Sequence, residues 1–80
     1  MTTREILTRW IQIARDRGMA ERANQFWLLR DFLDREVWSD VFCRKHAEEA
    51  YGVLVGLDDS KPEQKQVAGE LLPIVKGYMV

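Results

Sequence analysis

Apolar side chains recur every three or four residues along most of this 80-residue chain, and that spacing is typical of packed helices. At 100° per residue, the first segment gathers one apolar arc, which comprises Ile6, Leu7, Trp10, Ile11, Ile13 and Ala14. Only residues 51–57 are a candidate for a short strand, and their length permits either assignment. We therefore predict an all-α fold, a compact bundle of four helices, with three helices as the alternative.

Capping and stop signals divide the chain into helices. Thr2 and Glu5 have the spacing of a capping box, and Gly18 tolerates the left-handed turn that ends many helices. Residues 60–63 repeat the capping-box spacing with serine as the cap, and Pro62 falls in the first turn, where its missing amide does little harm. These signals predict the start and end of the first helix and the start of the last one.

The second predicted helix runs from Met19 or Ala20 to Asp34 or Arg35. Its predicted core stripe consists of Met19, Ala23, Phe26, Leu29 and Leu33. However, residues 24–38, NQFWLLRDFLDREVW, carry more large apolar side chains than one face of one helix can hide. Trp27 projects at least 100° from Phe26, and Leu28 points almost opposite Met19. Some of these side chains must therefore meet other helices or another protein.

The third predicted helix changes phase near its start. Its apolar arc comprises Phe42, Cys43, Ala47, Ala50, Val53, Leu54 and Leu57. Val37, Trp38 and Val41 point largely elsewhere, so a straight helix would expose one of the two sets. We expect a break within residues 36–39, with Ser39 as the cap; the alternative is one helix that contacts different neighbours at its two ends.

The last predicted helix shows one apolar arc. It comprises Val67, Ala68, Leu71, Leu72, Ile74, Val75, Tyr78 and Met79. Pro73 falls on the polar side, where a proline is expected to kink the helix without placing the break against the core.

Size and composition favour one soluble domain over residues 1–80. The chain is 46% apolar and 31% charged, which is typical of globular proteins. Cys43 is the lone cysteine and cannot form an internal disulfide, so a reducing cytoplasm is the natural setting. No stretch approaches the roughly 18 apolar residues of a membrane span, and the N-terminus lacks the pattern of a secretion signal. We expect a cytoplasmic protein without membrane contact.

Charge argues against a nucleic acid partner. The chain has 12 basic and 13 acidic residues, whereas binding to phosphates depends on concentrated positive charge. All eight arginines lie at or before Arg44. A helix-turn-helix built from helices two and three is the DNA-binding alternative. Its recognition helix would also carry four carboxylates that repel DNA, namely Glu36, Asp40, Glu48 and Glu49.

Catalytic signatures are weak. Cys43 and His46 stand three apart on a predicted helix, and Asp40 lies one turn earlier, which makes a Cys-His enzyme the sharpest catalytic alternative. Such pairs are common, and no glycine-rich oxyanion loop lies near them in the sequence. A structural zinc site needs four ligands, usually Cys or His, and this chain has two. We predict no catalytic residue, no cofactor and no metal.

The aromatic and arginine residues of helix two predict a contact surface, because Trp and Arg are enriched in the energetic centres of protein interfaces. The predicted partner-binding residues are Trp27, Leu28, Arg30, Phe32, Arg35 and Trp38. We expect a small non-catalytic protein that occupies a surface of a larger protein complex as an inhibitor, adaptor or regulator. Its size alone suggests an antagonist of the phage or mobile-element type. The alternative is an obligate homodimer that uses the same surface.

Overall fold

Four helices form the part of the chain that the computed structural model describes, residues 1–79. They are α1 (Thr3–Asp16), α2 (Ala20–Leu33), α3 (Asp40–Val55) and α4 (Pro62–Lys76), and no strand occurs between residues 1 and 79. The prediction of an all-helical fold with four helices is therefore confirmed. None of these helices has the length and apolar character that crossing a membrane requires.

Three of the predicted helix boundaries are confirmed in atomic detail. The hydroxyl of Thr2 accepts a hydrogen bond from the Glu5 amide, and the Glu5 carboxylate accepts one from the Thr2 amide, completing the capping box. Gly18 adopts a φ of 70° after α1, the left-handed conformation that favours glycine. Ser39 is the N-cap of α3 and accepts from the Phe42 amide at 3.2 Å, so α2 and α3 are separate helices.

The predicted cap of α4 is wrong. Lys61, and not Ser60, is the N-cap, and its side chain makes no capping hydrogen bond. Because a residue before proline is pushed out of the helical region, Pro62 holds Lys61 in an extended conformation (φ −99°, ψ 124°). Ser60 instead donates both its amide and its hydroxyl to the Asp58 carboxylate, at 2.9 and 2.7 Å. Pro73 is exposed, as predicted, and α4 continues beyond it to Lys76.

Helix α2 occupies a central position in the bundle, because it packs against all three other helices, as α4 also does. One side faces α1, where Ala23 joins Ile11 and Ala14 in a small apolar cluster with Phe26 packed against it. The opposite side enters the main core, which α2 shares with the other three helices. The buried members of that core are Ile6, Leu7, Leu28, Leu29, Phe32, Cys43, Ala47, Ala50, Leu54, Val67, Leu71 and Val75.

This central position corrects the predicted placement of two site residues. Leu28 is only 9% exposed and Phe32 only 1%, so neither can belong to a contact surface. A single apolar stripe on α2 places both residues outside the core. A helix with neighbours on three sides buries a much wider arc than a surface helix does.

Three residues predicted for the core are exposed instead, namely Ile13, Met19 and Met79. Met19 lies before the first turn of α2, with φ −93° and ψ 68°, so it does not share the helical phase of the stripe. Ile13 lies on α1, where it lines an open cleft and is 42% exposed. Helical spacing identifies the apolar face of each helix. It does not show that, near the ends of the bundle, part of that face is left exposed.

Polar contacts hold the start of α1 against α2 and α4. Arg4 pairs with Asp34 through two hydrogen bonds, one of them 3.0 Å long. Thr3 is buried, and its hydroxyl donates to the Glu70 carboxylate on α4. The Gln66 side-chain amide donates to the Met1 carbonyl oxygen at 2.9 Å. The N-terminus is therefore fixed on the bundle.

Candidate functional site

The connection between α2 and α3 exposes an apolar surface, which we call the corner patch and which consists of Val37, Trp38 and Val41. Val37 is 81% exposed, Val41 76% and Trp38 38%. The Val37 amide donates to the Asp34 carbonyl oxygen at 2.8 Å, which closes a turn after α2. Val41 lies in the first turn of α3. The break between the two helices therefore places three large apolar side chains in water within five positions.

Trp38 is held in place from inside the chain. Its ring stacks on Phe42 with centroids 4.5 Å apart and planes inclined by 20°. Phe42 in turn lies 4.5 Å from the His46 ring, tilted by 47°, and is partly buried against the main core. The Nδ1 atom of His46 lies 3.8 Å from a Glu49 carboxylate oxygen. This series of rings orients the indole while leaving part of it accessible.

Charged side chains of both signs surround the corner patch in the sequence. The exposed ones are Arg35, Glu36, Asp40, Arg44 and Lys45. An apolar centre with a polar and charged rim is the usual anatomy of a protein interface. A rim with charges of both signs fixes the orientation of a partner, because orientations that bring like charges together are repelled.

A second exposed feature is the cluster around Trp27. The guanidinium carbons of Arg30 and Arg15 lie 4.9 and 5.9 Å from the centroid of its ring, so arginines from α2 and α1 both approach the indole. Neither arginine forms an ion pair within residues 1–79. Burial, followed by repulsion from Asp34, raises the pKa of Asp31, one turn along the same face.

The structure divides the six predicted contact residues into three groups. Leu28 and Phe32 are in the core, as described above. Trp27 and Arg30 belong to the cluster around Trp27. Trp38 belongs to the corner patch, and Arg35 is exposed in the turn before it. No ring contact joins the two tryptophans in the described part of the chain.

Sequence reasoning missed Val37 and Val41, which are more exposed than either of the predicted contact tryptophans, Trp27 and Trp38. The signal was present, because both valines fall outside the apolar arc of the third helix. Once Ser39 starts a new helix, neither valine has an internal neighbour to cover it. A valine out of phase beside a helix break was therefore a stronger indication of surface exposure than a tryptophan.

The Cys43 side chain lies in the main core and is almost fully buried. Tyr78 lies beside it, and burial, followed by the neighbouring Cys43 sulfur, raises the pKa of the phenol. His46 is on the next turn of α3, but a substrate has no path to the sulfur of Cys43. The geometry therefore does not favour the Cys-His alternative, which needs an accessible thiolate.

No protein-family model matches the chain, and neither a curated protein nor a solved structure matches it. Within residues 1–79, no three His, Cys, Asp or Glu side chains converge as ligands of a metal ion would. The corner patch and the cluster around Trp27 are therefore the surfaces from which a function is inferred.

Proposed function

We propose that this protein is a non-catalytic binding protein that occupies a surface of a larger protein or protein complex and acts as an inhibitor, adaptor or regulator. The corner patch is the centre of the contact. The observation that carries the proposal is the exposure of Val37 and Val41 on either side of a tryptophan whose ring is already held by Phe42. Exposed apolar groups that are clustered, rather than scattered, mark interaction sites.

The energetics of the patch support this role. Burying a fully exposed valine in a partner contributes about 1.5–3 kcal/mol, so two valines and part of an indole supply a useful fraction of a micromolar affinity. A side chain that is ordered before binding loses little conformational entropy on binding. The stacking of Trp38 on Phe42 therefore makes the indole a suitable anchor.

The exposed arginines near the patch determine which partner surfaces fit it. Arg35 is exposed in the turn before the patch, and Arg30 covers Trp27 on the preceding helix. Arginine pairs with carboxylates through two hydrogen bonds and stacks on aromatic rings, so it suits an acidic or aromatic rim on the partner. We place this role in the cytoplasm, where Cys43 would stay reduced.

Affinity capture with two matched variants tests the proposal. Val41→Asp puts a carboxylate in the first turn of α3, where the helix dipole favours it, so the fold is retained while the patch is disrupted. Val55→Lys is the control, because Val55 is an exposed valine at the C-terminal end of the same helix, where a cation is favoured. Tagged proteins are incubated with extract from the native cell, and the retained proteins are identified by mass spectrometry.

The expected result is one partner that is retained by the wild-type protein and by Val55→Lys and lost with Val41→Asp. The purified partner should then bind Val41→Asp at least about tenfold more weakly, equivalent to about 1.4 kcal/mol. Equal retention by all three proteins would remove the corner patch from the contact.

The homodimer alternative is distinguished by molar mass in solution. Light scattering across a dilution series should give the mass of one chain, 9.4 kDa, at micromolar concentration if the patch serves a different protein. A mass of two chains that persists on dilution, and that Val41→Asp halves, would instead assign the patch to a second copy of the same chain.

A further inference from the structure

An open cleft lies at the end of the bundle where α1 finishes and α2 begins. Its volume is about 380 Å³, and it is bounded by α1, the first half of α2, the connection between α3 and α4, and Gln64 in the first turn of α4. In the described part of the chain, α1 packs directly against α2 and α4 rather than against α3. It is separate from the corner patch, whose residues do not line it.

Part of the cleft wall is aromatic and aliphatic. Trp10 and Phe26 form one wall, with ring centroids 5.2 Å apart and planes tilted by 52°. Leu57 closes the side formed by the α3–α4 connection. Ile13 and Met19, two of the three exposed residues that helical spacing places in the core, also line this space. Both therefore add apolar surface to the cleft.

The charged side chains that line the cleft are both cationic. They are Arg17 and Arg22, and the residues that line the cleft include no carboxylate. The guanidinium carbon of Arg22 lies 5.9 Å from the centroid of the Phe26 ring, so the cation is held over the aromatic wall. Gly18, with its φ of 70°, makes the tight turn that brings Arg17 and Met19 to the same opening.

Of the carboxylates next in sequence to residues that line the cleft, Glu21 has no hydrogen-bond partner within residues 1–79, whereas Asp16 and Glu63 do. Asp16 accepts from the Gln12 side-chain amide at 2.9 Å, and Glu63 pairs with Arg9. Neither Arg17 nor Arg22 forms an ion pair within residues 1–79. The two guanidinium groups at the opening thus retain their capacity to bind an anion.

We propose that the cleft binds a small amphipathic carboxylate, a molecule with an aromatic or short aliphatic body and one carboxylate group. The volume falls at the lower end of the range found for small-molecule sites. The ring of the ligand packs against Trp10 and Phe26, and its carboxylate meets Arg17 and Arg22, whose planar guanidinium groups match carboxylate geometry. This inference does not depend on the proposed protein-binding function.

The probe for the test is 4-phenylbutyrate, which combines a phenyl ring, a short chain and a carboxylate. Titration into ¹⁵N-labelled protein should shift the Trp10 indole N–H signal and the backbone amides around the cleft, while amides at the corner patch stay in place. The matched amine, 4-phenylbutylamine, has the same apolar body and the opposite charge. We expect it to bind at least about tenfold more weakly, because a cation would be repelled by both arginines.

A double variant tests the arginines directly. Arg17→Gln combined with Arg22→Gln removes both positive charges at exposed positions, so the fold should be retained. Arg44→Gln on α3 is the control, because Arg44 is exposed and does not line the cleft. The dissociation constant for 4-phenylbutyrate should rise at least about tenfold in the double variant, the scale of one lost charge-assisted hydrogen bond, and stay unchanged in the control.

Three results would overturn the inference. The first is the absence of saturable shifts at ligand concentrations up to about 10 mM, where even weak sites fill. The second is equal binding of the acid and the amine, which would leave only unselective apolar adsorption. The third is undiminished binding of the acid by the double variant.

Discussion

The ring of Trp38 lies 4.5 Å from that of Phe42, and their planes are inclined by only 20°. Phe42 packs against the main core, so this contact couples an exposed indole to the folded interior. A tryptophan held in this way keeps its orientation in water and presents its outer part to a partner. The same contact explains why Trp38 is neither a core residue nor a mobile surface residue.

Substitution of two aromatic residues of α2 should separate core from surface. Phe32→Ala should lower the free energy of unfolding by about 3–5 kcal/mol, because it leaves a cavity at a buried site. Trp27→Ala should lower it by only about 1–2 kcal/mol, because that ring is partly in water and its close partners include two arginines. Urea unfolding measures both values. Equal losses would mean that Trp27 belongs to the core.

Two glycine substitutions should change stability in opposite directions. Gly18→Ala should destabilise the protein by about 1–2 kcal/mol, because alanine is strained at a φ of 70°. Gly52→Ala should stabilise it by about 0.5–1 kcal/mol, because Gly52 lies inside α3 and a new methyl group meets nothing within 4 Å. Thermal unfolding followed by circular dichroism gives both signs. A stabilising Gly18→Ala would exclude the left-handed turn after α1.

Acid should weaken the attachment of α1 to α2. The pKa of Asp34 lies below its ordinary value of 3.8, mainly because Arg4 donates hydrogen bonds to the carboxylate. Because the folded state then binds the proton less tightly than the unfolded state, the stabilising contribution is complete above pH values near 3.8. It is lost as pH falls through the lower pKa of the folded state.

The measurement for Asp34 is unfolding free energy as a function of pH. Asp34→Asn should show a shallower loss of stability in acid than the wild-type protein. Asp59→Asn is the control, because Asp59 is exposed and forms no ion pair within residues 1–79. Identical acid profiles for Asp34→Asn and the wild-type protein would show that the pair with Arg4 does not contribute in solution.

Cys43 should react slowly with alkylating reagents in the folded protein. Its side chain is buried in the main core, so iodoacetamide at neutral pH can reach the sulfur only when the structure opens. We expect the rate to be at least about a hundredfold lower than in denaturant, because opening of a core helix is rare. Rapid alkylation of the native protein would instead show an accessible thiol and would support the Cys43–His46 enzyme hypothesis.

The helix boundaries could be predicted from sequence because their causes are local. A capping box at Thr2, a left-handed glycine at position 18 and a serine cap at position 39 each involve residues three or four apart. Helix α4 shows the limit of such signals: the serine at position 60 had the right spacing, but Pro62 moved the cap to the following residue. A local signal fails when a neighbouring residue imposes a stronger backbone constraint.

The arrangement of α2 could not be predicted from its own residues. Leu28 and Phe32 looked like surface residues only under the assumption that α2 buries one stripe, and the number of neighbours around a helix is a property of the whole fold. The same reasoning predicts that Ile13 and Met19 are core residues, although both lie outside the core and are exposed. Periodicity identifies faces, whereas packing determines which faces are covered.

Photo-cross-linking from the corner patch shows whether Val41 touches a partner protein in the cell. A photoreactive phenylalanine analogue is introduced in place of Val41, or in place of Val55 as the control, and the protein is irradiated in the cells that naturally contain it. Both valines are exposed on α3, at opposite ends of the helix. We expect a covalent adduct with one larger, different protein from position 41 and none from position 55. The same adduct from both positions, or no adduct from position 41, would contradict that expectation.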